Sequence, residues 1–285
     1  MENNRIGIIG GSGLYELDSL SDVREEKVST PFGEPSDSLT VARLGEREVV
    51  FIPRHGRGHR ISPSEVNYRA NICALKMLGV RWVLAISAVG SMKEELRPQD
   101  VVFPDQFIDR TRHRQDSFFT EGIVAHVSLA DPFCEPLRQI MLAQARKLKL
   151  RAHDGGSYLC MEGPQFSTRA ESELYRSWGV SIIGMTNLTE ARLAREAELG
   201  YATAAFVTDY DCWHEGDDVS VEMVMANFAA NVKHARALVE AVVPEIPLEL
   251  DDPCFHALRG AIVTDKERIS AETKQRLKPI AGKYL

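Results

Sequence analysis

The sequence predicts an α/β protein in three layers, a central, mostly parallel or mixed sheet flanked by helices on both faces. Three observations carry this. Apolar runs IGII (6–9), WVLAI (82–86), VSIIGM (180–185) and YATAAFV (201–207) alternate with segments of helical period, the pattern of strands joined by crossover helices. The runs show little polar alternation, as strands covered on both faces do. Each empties into a polar turn rich in glycine or hydroxyls, and in such sheets ligands bind beyond the carboxyl ends of strands.

Taken in order, the first strand breaks into Gly10, Gly11, Ser12 and Gly13, and EVVFI (48–52) empties into PRHGRGHR (53–60). Ser62, Pro63, Ser64 and Glu65 read as a capping box with proline at the first helical position, and Val66, Ala70, Cys73 and Met77 follow at helical spacing. The strand at 82–86 ends in SAVGS, and DVVF (100–103) reads as a strand before a long loop to residue 133. Residues 136–149 read as a helix with Leu137, Ile140, Met141 and Leu148 toward the core. A strand at 156–161 leads to EGPQFSTR, then a helix from about Ala170 carries Leu174 and Trp178. After the strand at 180–185, Asn187 and Glu190 have capping-box spacing for a helix through Glu198, so Glu190 reads as a cap. The strand at 201–207 ends in TDYD. A long helix over 219–243 shows Val221, Val224, Phe228, Val232 and Val239, and the tail from Pro244 holds one more short helix.

With 285 residues and no linker or charge block, the chain reads as one domain over 1–285. A net charge of −7 argues against a nucleic-acid surface but leaves room for a local basic pocket around a small anion. No targeting segment and no apolar run near the roughly 20 residues of a membrane span are visible, so a cytoplasmic protein without a membrane partner is expected. Cys73, Cys134, Cys160, Cys212 and Cys254 are scattered and read as reduced packing thiols. His55 and His59 sit in a glycine-broken loop without an H-E-x-x-H helix, so no metal is expected.

The turn at Gly10 invites an anion, because glycines let backbone N–H groups approach an oxyanion. The dinucleotide fingerprint fails, since Glu16 stands where its third glycine belongs, and no lysine follows to make a Walker loop. A free phosphate suits the set better. Arg54 offers a planar fork, His55 a further donor, and Ser12, Ser87 and Thr186 offer hydroxyls beside backbone N–H groups. In TDYD, Asp209 and Asp211 at i and i+2 of an extended backbone would point the same way. Desolvation and a second carboxylate would raise the pKa of Asp209 enough to protonate a purine N7. Phe166 could stack on a flat base and Met185 lie under a sugar, although each alone also reads as core.

Together these stretches resemble the trimeric purine nucleoside phosphorylases, and within them the 5′-methylthioadenosine phosphorylases. IGIIGGSGL, TPFGEPSD, RHGRGH, VNYRANI, SAVGS, DQFIDRT, DPFC, EGPQFSTRAES, GMTNLTEA and TDYDCW carry the resemblance along nearly the whole chain. It implies a nucleoside phosphorylase-like fold and phosphorolysis of methylthioadenosine to adenine and 5-methylthioribose 1-phosphate. It implies a homotrimer that uses inorganic phosphate as co-substrate, with no metal or organic cofactor. By motif position, phosphate binding falls on Ser12, Arg54, His55, Ser87, Ala88 and Thr186, and the base on Phe166, Ser167, Asp209 and Asp211, with Met185 at the ribose. His126 matches a position that reaches a neighbouring subunit's 5′ pocket, and Val221 and Val224 would line the methylthio pocket. Phosphorylases for 6-oxopurines tend to carry Asn where these acids fall, so a 6-aminopurine is expected; the alternatives are a phosphorylase for inosine, guanosine or adenosine. One departure is Thr189, where relatives often carry proline.

Overall fold

The computed structural model describes the chain except residues 1–3, 12, 15–16 and 215–220 and the side chains of 221–226. Its strands are β1 (Arg5–Gly10), β2 (Leu20–Glu26), β3 (Leu39–Leu44), β4 (Arg47–Pro53), β5 (Val80–Ser91), β6 (Val101–Phe103), β7 (Gln106–Arg110), β8 (Ala152–Asp154), β9 (Ser157–Met161), β10 (Ile182–Gly184) and β11 (Gly200–Asp209). The helices are α1 (Tyr68–Met77), α2 (Glu135–Lys147), α3 (Arg169–Ser177), α4 (Asn187–Glu196), α5 (Val221–Val242) and α6 (Ala271–Ala281).

The strands form one mixed sheet in the order β2-β3-β4-β1-β5-β10-β9-β7, with β11 beside β5, β6 beside β11 and β8 beside β6. Period-two alternation sorts each central strand between two cores. Ile6, Ile8, Val49, Phe51, Trp82, Leu84 and Ile86 join Leu137 and Met141 of α2 and Leu238 and Val239 of α5. Ile9, Val50, Ile52, Val83 and Ala85 join Ile72 of α1, Leu193 and Ala194 of α4 and Leu277 of α6. This is the predicted α/β three-layer arrangement.

The sheet branches at β5. Its first half pairs in parallel with β1, up to Ile9 against Ala85, and β1 then ends at Gly10. The vacated edge of β5 is taken by β10, running antiparallel, with Ser91 opposite Ile182 and Gly90 opposite Ile183. On its other edge β5 stays parallel to β11 from Trp82 to Gly90. The residues 87–91, read as a turn, therefore continue the strand.

Several expectations need correction. Ser62 and Glu65 form half of the expected box, the Glu65 carboxylate accepting from the Ser62 N–H at 3.1 Å while the Ser62 hydroxyl donates to the same carboxylate, and α1 begins later, capped by Asn67, whose side chain accepts from the Ala70 N–H. The loop after residue 103 contains β7, and β2, β3 and β8 were not anticipated; β2 is almost wholly exposed or half-buried, so it carries no apolar signal. Leu148, Leu174 and Trp178 lie exposed: Leu148 and Trp178 are the residues just past α2 and α3, and α3 buries only Ser172 and Tyr175. Among the described residues no helix is long and apolar enough to cross a membrane.

Candidate active site

The ends of β1, β4 and β10 are brought together where β1 stops. The Arg54 N–H, just past β4, donates to the Gly10 carbonyl at 2.9 Å. The Arg54 side chain is buried, and its Nε and Nη2 grip both oxygens of Glu190, the latter at 3.0 Å, while Nη1 donates to the Ile86 carbonyl at 3.0 Å. A buried ion pair persists only when further hydrogen bonds satisfy it. Here the Tyr201 hydroxyl donates to Glu190 at 2.9 Å. Asn187 Nδ2 donates in turn to the Tyr201 hydroxyl and to Thr203 Oγ1, both at 2.9 Å. Asn187 Oδ1 accepts from the Tyr158 hydroxyl at 3.0 Å and from Thr186 Oγ1 at 3.2 Å. The Tyr158 hydroxyl lies 3.4 Å from Ser87 Oγ. One buried network thus joins Arg54, Ser87 and Thr186, three residues assigned to phosphate; Ala88 beside them is exposed.

Glu190 is therefore not the cap its spacing suggested. The N-cap of α4 is Thr186, without a side-chain cap bond, because a buried guanidinium competes for a carboxylate more strongly than a helix N–H does. Burial alone would lower the Arg54 pKa, but the Glu190 carboxylate outweighs it and raises it. The fork expected to hold phosphate is spent on Glu190, which leaves one N–H on each Nη for a ligand.

His55 also differs from expectation. Its Nδ1 lies 2.9 Å from the Ile61 carbonyl, so Nδ1 carries the hydrogen. Burial first, then the Arg54 charge, push its pKa down to about 4. The neutral ring presents the lone pair of Nε2, an acceptor rather than the donor anticipated.

Across the sheet, Asp209 closes β11. Asn231 Nδ2 holds the Val207 carbonyl at 2.9 Å and Asn227 Nδ2 the Thr208 carbonyl at 2.7 Å, just where the β11 register shifts. The chain then leaves the extended state: Asp211 has φ +55° and opens a short 3-10 turn. The acids are paired not by strand alternation but because the Asp211 N–H donates to Asp209 Oδ1 at 2.9 Å. Thr208 Oγ1 donates to Asp209 Oδ2 at 2.6 Å, and Ser172 of α3 donates to Asp211 Oδ2 at 2.7 Å. Burial raises the pKa of both acids, for Asp209 with a further push from Asp211, against those hydrogen bonds. Gly90 opposite gives this carboxylate room: a Cβ there would stand 3.0 Å from Asp209 Oδ1 and 3.1 Å from Ile183, so both would have to give way.

The loop after β9 closes this side. Gly163 has φ +68° and passes so close to Met185 that a Cβ would meet its Sδ at 2.6 Å. Cys212 Sγ donates to the Ser167 carbonyl at 3.5 Å, tying the loop to the turn at Asp211, and Phe166 stands exposed. The glycine turn after β1 lies under α5, where Arg236 Nε donates to the Gly13 carbonyl at 2.7 Å and a Cβ at Gly11 would lie 3.6 Å from Phe228. His126 is fixed by the tail, its N–H donating to the Ala261 carbonyl at 2.9 Å. Ser12 and the side chains of Val221 and Val224 fall outside the described residues.

Residues 5–244, which carry all of these rim strands, match the family described as the phosphorylase superfamily. The chain belongs to the phosphorylase superfamily. It is 55% identical over 282 residues to the S-methyl-5′-thioadenosine phosphorylase of Geobacter sulfurreducens, covering 98% of this chain and 99% of that one. It is 54% identical to that of Koribacter versatilis, with 98% and 96% covered. Among solved structures, a methylthioadenosine phosphorylase from an antarctic soil metagenomic library superposes with a TM-score of 0.93 at 48% identity, covering 98% of this chain and 99% of that one. The methylthioadenosine phosphorylase of Schistosoma mansoni in complex with adenine gives 0.85 at 39% identity, with 93% and 99% covered.

In this superfamily member the sequence pointed to the rim turns but missed the residues that lock them. Tyr158, Asn187, Glu190, Tyr201 and Thr203 left one faint signal, hydroxyls and a carboxamide within or beside otherwise apolar strands. Cys134, Asp252 and Cys254 place ligand-type atoms within 4.8 Å of one another, but Asp252 Oδ1 already accepts from the Cys254 N–H at 2.9 Å and none of the three joins the networks above. His55 and His59 stack at 4.4 Å between ring centroids, with the His55 Nδ1 committed to Ile61.

Proposed function

We propose that this chain is a pentosyltransferase that cleaves 5′-methylthioadenosine with inorganic phosphate, releasing adenine and 5-methylthioribose 1-phosphate. The observation that carries the proposal is the pair Asp209 and Asp211, buried with raised pKa at the end of β11, where Asp209 pairs with Gly90 of β5, the strand that also brings Ser87 to the Arg54 and Thr186 network. Identities of 50–55% to S-methyl-5′-thioadenosine phosphorylases over nearly the full chain support the same substrate.

In this proposal phosphate is held by Ser12, Arg54, His55, Ser87, Ala88 and Thr186. The neutral His55 accepts a hydrogen bond from a protonated phosphate oxygen at Nε2, while the free Nη hydrogens of Arg54 donate to the others. Adenine lies against Phe166 and Ser167, with the ribose at Met185 and the methylthio group toward Val221, Val224 and a neighbouring subunit's His126. As the N-glycosidic bond lengthens, Asp209 donates a proton or hydrogen bond to N7, and Asp211 receives the exocyclic amine. Phosphate attacks the oxocarbenium-like carbon from the opposite face, so positioning supplies much of the rate. The proposal includes one phosphorylase domain over 1–285, a homotrimer, a cytoplasmic setting and a role in purine and methionine salvage, with no cofactor beyond the phosphate co-substrate.

The test follows adenine release from methylthioadenosine with and without phosphate, with inosine in parallel and oligomer mass by light scattering. Phosphate-dependent release with little action on inosine is expected. Release without phosphate would make the protein a hydrolase, and action on inosine alone would overturn the assignment of the two aspartates.

A further inference from the structure

Arg114, from the segment after β7, is as deeply buried as Arg54: its side chain is 1% exposed. Its Nη1 donates to the Tyr68 hydroxyl of α1 at 3.3 Å and to Thr189 Oγ1 of α4 at 3.2 Å. Its Nη2 donates to the Met161 carbonyl at 3.3 Å and the Glu162 carbonyl at 2.7 Å, where β9 ends. Nε stands 3.5 Å from Glu162 Oε1, an oxygen that also accepts from Ser64 Oγ at 2.7 Å. A guanidinium stays charged inside a protein and donates in a fixed plane, so these partners cannot shift independently.

Two features make this more than a packing contact. Thr189 and Glu190 are consecutive in the first turn of α4, and each holds a buried guanidinium, Arg114 and Arg54 respectively. The carbonyls on the other side of Arg114 begin the loop that carries Phe166 and Ser167. A single side chain therefore spans the step between the phosphate side and the base side. The Thr189 hydroxyl supplies a bond to Arg114 that a proline at 189 could not.

We propose that Arg114 is a positioning residue that keeps the Phe166–Ser167 loop in register with the α4 turn behind Arg54, and that Thr189 completes its seat. The proposal rests on the reaction proposed above. Misplacement of reacting groups by about 1 Å costs about a hundredfold in rate, so a change at Arg114 moves the terms for both substrates although it touches neither.

The experiment is steady-state kinetics at 25 °C, varying methylthioadenosine and phosphate separately, on wild type, Arg114→Lys, Thr189→Val and Thr189→Ser, with thermal unfolding in parallel. Arg114→Lys is expected to lower kcat/KM about a hundredfold for both substrates. Thr189→Val, which keeps the shape and removes the hydroxyl, is expected to raise both KM values severalfold, and Thr189→Ser to restore them. Lower melting temperatures with both KM values unchanged for Thr189→Val would reduce the contact to a structural one and overturn the proposal. A change in one KM only would overturn the coupling. A wild type that releases no adenine would overturn the functional reading, and this proposal with it, before any variant is compared.

Discussion

Glu190 binds Arg54 through both carboxylate oxygens in the interior, their side chains 2% and 4% exposed, and Tyr201 supports the carboxylate from β11. The pair sets the position of the one arginine that β4 delivers to the strand-end rim.

Removing one member of such a pair strands the other's charge, at a cost of about 3–5 kcal/mol. Glu190→Ala is therefore expected to lower unfolding free energy in urea by that amount. Tyr201→Phe, which removes one hydrogen bond to the same carboxylate, is expected to cost about 1–3 kcal/mol. The reverse order would show that Arg54 does not depend on Glu190.

Asp209→Asn keeps the shape and removes the acid, so kcat for adenine release is expected to fall about 10²- to 10⁴-fold. Gly90→Ala probes the same group without touching it chemically, since the new Cβ would crowd Asp209 Oδ1. It should reduce turnover well beyond its effect on melting temperature. Normal kcat in both variants would remove Asp209 from the chemistry.

Burial and the Arg54 charge favour a neutral His55, and the Ile61 carbonyl places its hydrogen on Nδ1. Its ring nitrogens, followed by NMR, should show the Nδ1-H tautomer at pH 6 and a midpoint near 4. Because its folded pKa lies below the ordinary value of 6.5, its contribution to stability is present above 6.5 and is lost as pH falls through 4. A ring already charged at pH 6 would show that burial and the Arg54 charge do not outweigh the Ile61 hydrogen bond, which favours the charged form.

Glu196 titrates the other way. Burial raises its pKa to about 7 although Phe118 N–H and Ser117 Oγ both donate to it. A raised carboxyl pKa contributes stability that is complete below the unfolded value of 4.5 and is lost as pH rises through 7. The loss is on the order of 3 kcal/mol, and Glu196→Gln should abolish it. Equal pH profiles from 4.5 to 8 for the two proteins would refute the assignment.

The sequence by itself determined the layers and the address of the site. Apolar strands, helical spacing and the turns GGSG, PRHGR, MTN and TDYD are local patterns, and locality makes them legible: an unbroken apolar run marks a strand covered on both faces, and these turns mark strand ends. What only the tertiary structure decided is how those turns are held. Glu190 has the spacing of a cap and acts as Arg54's counterion, and His55 reads as a donor until the Ile61 carbonyl claims its hydrogen. Asp209 and Asp211 look paired along a strand, yet meet through a left-handed turn. Glu190 lies 136 residues from Arg54, and even where the partner is near in sequence, as Ile61 is to His55 and Asp211 to Asp209, burial by the rest of the fold sets the outcome. The free energy of a buried polar group depends on which groups surround it in the fold, information that no local window contains.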